Sequence, residues 1–134
     1  LKRHMPSKWV SFQSAATVGY PLGFHDVIYH LPVVRHAVIA SSFGVRFQGK
    51  GYFLTDARTH RGTSGAAVVM RAPGTNPALP WKLLGVHSSR LDMNTRDLAL
   101  DESLGLNCAW YADILLTLTA DVPAPSALQP QPIA

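Results

Sequence analysis

Apolar and polar residues alternate along this chain in short stretches, the period of a strand with one buried face. Trp9, Val10 and Phe12 stand against Lys8, Ser11 and Gln13 in a short strand, or the approach to one. Thr17-Val-Gly-Tyr-Pro21 reads as a strand closed by proline, and 22–30 as a loop around Gly23. Pro32 opens Val33-Val-Arg-His-Ala-Val-Ile-Ala40, a β-branched run long enough for a strand. Phe43-Gly-Val-Arg-Phe47 follows with apolar residues at alternate positions, and Gln48-Gly-Lys-Gly51 is a hairpin signal before Tyr52-Phe-Leu-Thr55.

The same pattern continues through Ala66-Ala-Val-Val-Met70, which ends at Ala72-Pro-Gly74, and through Trp81-Lys-Leu-Leu-Gly-Val-His-Ser88. Residues 90–105 are polar and turn-like, and Asn107-Cys-Ala-Trp-Tyr111 reads as a last short strand. Asp113-Ile-Leu-Leu-Thr-Leu-Thr119 is helical in pattern, with Asp113 at the end where an acid suits the helix dipole. About six short strands spaced roughly ten residues apart, then one helix, predict an all-β antiparallel barrel or sandwich.

Composition sharpens the domain picture. The 134 residues suffice for one domain with a real core, and 47% hydrophobic against 15% charged is a globular balance. The division expected is an N-terminal segment over 1–14, a barrel over 15–120 and a Pro-rich disordered tail over 121–134, which holds Pro123, Pro125, Pro130 and Pro132. The start, Leu1-Lys-Arg-His-Met-Pro6, has neither an initiator Met nor an apolar signal core, and reads as the middle of something longer. Net charge is +4, but the basic residues build no run, so a nucleic-acid partner is not expected. No apolar stretch is long enough to cross a membrane as a helix, so no membrane partner is expected either. The compartment stays open.

The candidate chemistry lies in Asp56-Ala-Arg-Thr-His-Arg-Gly-Thr-Ser-Gly-Ala66, centred on Gly62-Thr63-Ser64-Gly65. A serine between glycines ahead of a β-branched run is a candidate nucleophile on a tight loop. Glycine reaches backbone conformations other residues avoid and lets a substrate come close to the main chain. The loop N–H groups can then face an oxygen beside the hydroxyl. The same letters also suit a plain strand-connecting turn. An α/β-hydrolase elbow is ruled out, because its fifth position needs glycine, here Ala66, and a helix must follow. Cys108 is the single cysteine, which excludes an intrachain disulfide and multi-thiolate zinc. None of the six histidines pairs with another at helical metal-site spacing. No metal or cofactor is expected.

Three separated motifs in order resemble the second β-barrel of the chymotrypsin-like (trypsin-like) serine peptidases. They are the Gly62-Thr-Ser-Gly65 loop before a strand, the later Leu84-Gly-Val-His-Ser88 strand, and the terminal helix. Gly19-Tyr20-Pro21 is similar to an early strand of the bacterial trypsin-like branch, and the resemblance spans roughly 15–119. It implies a six-stranded antiparallel β-barrel with a short C-terminal helix, acting on a protein or peptide substrate. Ser64 would be the nucleophile, and the N–H groups of Gly62 and Ser64 the oxyanion hole. Ser88 and Ser89 would lie on the strand that pairs with substrate, with His87 beside them. Asp56 would stand near the specificity-pocket wall, although Arg58 is nearer the usual spacing, and His60 would flank the cleft. The histidine base and aspartate would come from an N-terminal barrel that this chain does not contain. Asp97-Leu-Ala-Leu100 imitates the family's aspartate strand, but it follows Ser64, the wrong order for that role. An enzyme half, a degenerate peptide-binding relative, and an unrelated barrel with a chance serine loop all remain open.

Overall fold

The computed structural model describes residues 13–74, 76–90 and 105–121. They form β1 (Ser14–Gly19), β2 (Val33–Ile39), β3 (Tyr52–Asp56), β4 (Ala67–Arg71), β5 (Trp81–Arg90), β6 (Asn107–Tyr111) and α1 (Asp113–Leu118). The strands close into one antiparallel barrel in the order β1-β2-β3-β6-β5-β4, with β4 pairing back onto β1. The all-β barrel with a short terminal helix is therefore what the chain forms. The Trp9 stretch, the Asp97 stretch and the chain beyond Asp121 lie outside the described residues.

Strand alternation is carried by side chains of very unequal size. β1 turns Ala15 and Thr17 inward, and its outer end reaches the serine loop at Gly19. A Cβ on Gly19 would stand 2.7 Å from the Ala66 Cβ, so only glycine lets the strand come this close. The strand begins at Ser14, three residues before the apolar pattern does, because Ser14-Ala-Ala16 pairs well with β2 without offering bulk. The core gathers Ala15, Ala37, Ile39, Phe53, Ala57, Val68, Leu84 and Ala109. Phe53 fills the middle, and Gly85 on β5 leaves the space its ring takes up.

The one element read differently from the sequence is Phe43–Phe47, expected as a strand. It is a bend and turn running into a 3-10 turn at Phe47–Gly49. Its alternation reflects separate tasks. Phe43 packs edge-on against Phe53, with ring centres 5.0 Å apart, and lies 5.1 Å from Tyr111. Val45 points out and is 68% exposed. Arg46 donates to the Asp113 carboxylate at 2.7 Å and lies over the Tyr111 ring. Asp113 thus ties the helix start to this connection as well as suiting the dipole.

Candidate active site

The serine loop is a pair of linked glycine turns. The Thr63 N–H donates to the His60 carbonyl, closing the first, and the Ala66 N–H donates to the Thr63 carbonyl, closing the second. Gly62 (φ +84°) and Gly65 (φ +87°) each take the third position of a turn, the place where a type II turn requires positive φ. The glycine spacing of three in the sequence is thus the repeat of one turn. Thr63 between them is buried, and its hydroxyl faces the His60 N–H at 3.4 Å. Ser64, next to it, is exposed.

Two other segments hold the loop in place. From β5, the His87 N–H donates to the Ala66 carbonyl and the Gly65 N–H donates to the His87 carbonyl, each at 2.8 Å. From the chain after β1, the Leu22 N–H donates to the Arg61 carbonyl at 2.6 Å. Asn107, at the start of β6, secures the approach. Its buried amide donates to the Ala57 carbonyl at 2.7 Å and accepts from the Thr59 hydroxyl at 2.7 Å. Asn107 was not singled out from sequence. Its only signal there is a lone polar residue opening an otherwise apolar strand.

This framework leaves some groups free. The N–H groups of Gly62 and Ser64 meet no acceptor among the described residues. The Ser64 hydroxyl donates to the Ser88 carbonyl at 2.7 Å. That carbonyl is available because β5 bulges: His87 pairs with Ala109 and Ser89 with Cys108, so Ser88 is the extra residue. Beyond Val86, β5 has no strand partner on its β4 side among the described residues. An open pocket of about 190 Å³ lies beside Ser64, lined by Val18, Gly19, Tyr20, Gly62, Gly65 and Ala66. No charged side chain among the described residues lines it.

The other expected site residues are placed as follows. Ser88 and Ser89 lie near the end of β5, and the Ser88 carbonyl is the one that accepts from the Ser64 hydroxyl. His60 is half-buried on the first turn, and its Nδ1 is buried without a partner. Asp56 ends β3 opposite Val38 and is not part of the pocket lining. His87 is buried, only 3% exposed, and its backbone N–H and carbonyl are the groups that bond the serine loop. No histidine nitrogen is within hydrogen-bond distance of the Ser64 hydroxyl among the described residues. Burial raises the Cys108 thiol, which disfavours the thiolate and with it any nucleophilic role. No group of three or more His, Cys, Asp or Glu that could hold a metal occurs among the described residues.

Burial also lowers the His87 pKa, because charging the ring inside the barrel is unfavourable. Its Nδ1 has no partner to offset this. The folded state therefore keeps His87 neutral where the unfolded chain protonates it, near the usual value of about 6.5. The penalty is absent above that pH. It grows as pH falls below it, until the folded-state ring protonates as well. Urea midpoints should accordingly drop from pH 7 towards pH 5, and His87→Leu should flatten the slope. An unchanged slope in that variant would remove His87 as the cause.

The chain matches no family model, no curated protein and no solved structure.

Proposed function

We propose that this barrel is the nucleophile-bearing half of a trypsin-like serine endopeptidase. Ser64 attacks the scissile carbonyl and forms an acyl-enzyme, while a histidine base and an aspartate come from an N-terminal barrel outside these residues. The observation that carries the reading is the exposed Ser64 hydroxyl on a glycine turn whose Gly62 and Ser64 N–H groups have no acceptor. Idle donors beside a hydroxyl are what a developing oxyanion needs. The open pocket and the end of β5 beyond Ser88, which has no β4 partner among the described residues, give a peptide somewhere to lie.

The alternative is a non-catalytic relative that holds an extended peptide on the same edge. The bond from Ser64 to the Ser88 carbonyl favours it, since a hydroxyl spent on a carbonyl is not being deprotonated. A fluorophosphonate probe separates the two, applied to the polypeptide that carries both barrels. Covalent labelling at Ser64, absent from Ser64→Ala, supports the peptidase. A folded sample that stays unlabelled yet binds peptides supports the relative. These 134 residues alone should hydrolyse peptides only at background, because among the described residues no base reaches the serine.

A further inference from the structure

The loop between β1 and β2 holds a second cluster of chemical groups that the serine site does not use. His25 and His30 lie side by side with ring centres 5.5 Å apart and planes tilted by 35°. The His25 Nδ1–H donates to the Gly23 carbonyl at 2.6 Å. Since a carbonyl can only accept, this bond fixes the tautomer and leaves Nε2 with its lone pair. Binding one ring nitrogen to a backbone carbonyl is the usual way of orienting a metal-ligating histidine. The His30 imidazole has no hydrogen-bond partner among the described residues. Its backbone sits at φ +57°, and its carbonyl accepts from the Tyr20 hydroxyl at 3.1 Å.

The loop that carries them is tied at several points despite its exposure. The Asp26 N–H donates to the Leu31 carbonyl at 3.1 Å, and the Asp26 carboxylate accepts from the Tyr29 N–H at 2.8 Å. The Tyr20 ring meets His25 edge-on at 6.0 Å. The Asp26 carboxylate, turned onto its own backbone, leaves the two imidazoles as the ligand chemistry here.

We propose that His25 and His30 together bind a borderline divalent transition ion, Zn²⁺ or Ni²⁺, with water filling the remaining positions. Geometry supports this: Zn–N bonds of about 2.0–2.1 Å at a tetrahedral angle put two imidazole centres roughly 5 Å apart. Two neutral nitrogen donors with no carboxylate select such ions over Ca²⁺ or Mg²⁺. A separation of five residues on a loop is not a helical ligand spacing, so the sequence pattern does not reveal the pair. The site adjoins the serine pocket through Tyr20, which lines it, but its existence does not depend on what Ser64 does.

The test is titration of the full chain with Zn²⁺ by calorimetry, and with Co²⁺ by visible absorption. The variants are His25→Asn and His30→Asn. An Asn amide keeps a donor near the Gly23 carbonyl, and Asn tolerates positive φ, so both variants are expected to fold. Each should weaken binding at least tenfold. His4→Asn, His36→Asn and His60→Asn should bind as the parent does. Absence of saturable binding below millimolar metal would overturn the site, as would parental affinity in either loop variant.

Discussion

Gly85→Ala is expected to destabilise the barrel by about 3 kcal/mol or more, at the upper end of the cost of overpacking a core. A Cβ there would collide with the Trp110 carbonyl oxygen and stand 2.7 Å from Cε1 of Phe53. The ring could give way, but the carbonyl cannot. It belongs to β6, which pairs with β5 through Val86 and Trp110, so moving it breaks the ladder. Gly74→Ala is the control: its φ is +96° and a Cβ there meets nothing, so only backbone strain of roughly 1–2 kcal/mol applies. Urea denaturation of both variants measures the difference. Adding Phe53→Leu should recover part of the Gly85→Ala loss and leave the part due to the carbonyl. Equal midpoints for the two glycine variants would refute the account.

That contrast marks what sequence reading reaches in this molecule. β2 to β6 and the helix were readable because β-branched and other apolar residues run through the strands in short stretches bounded by turn residues and, in α1, recur at helical spacing. β1 was readable only from Thr17, because Ala15 and Ala16 pair without bulk. The turns at 43–47 imitate a strand because Phe43 is pulled inward by Phe53 and Tyr111 while Arg46 is held by Asp113, contacts made far along the chain. The closure of β4 onto β1 is likewise non-local. In the candidate site, local chemistry was visible: Gly62 and Gly65 fall where two successive turns need positive φ. What could not be read was the company the loop keeps. The bulge that frees the Ser88 carbonyl, the Leu22 bond to Arg61 and the Asn107 staple arise from pairing, which a single sequence does not display.

The serine loop yields the other large expected effect, a ranking of two variants. If Ser64 is the nucleophile, Ser64→Ala should abolish acylation in the two-barrel polypeptide, a loss on the order of 10⁶-fold for removal of a triad serine. Gly62→Ala should retain the nucleophile and lose about 10²–10³-fold, the scale of one oxyanion donor. The reason lies in the turn. Gly62 is at φ +84°, and a Cβ on it would approach the Tyr20 carbonyl at 3.0 Å and the Leu22 nitrogen at 3.2 Å. Relief requires the turn to rotate or the 20–22 chain to withdraw, and either displaces the Gly62 N–H from beside the serine. Gly65→Ala is strained to a similar degree at φ +87° but has open space around it. Its N–H is already bound to the His87 carbonyl, so the hole should suffer less. Rates of fluorophosphonate labelling, read beside thermal midpoints, separate lost donors from lost fold. Labelling of Gly62→Ala at the parental rate would exclude its N–H from the chemistry, and labelling of Ser64→Ala would exclude the serine.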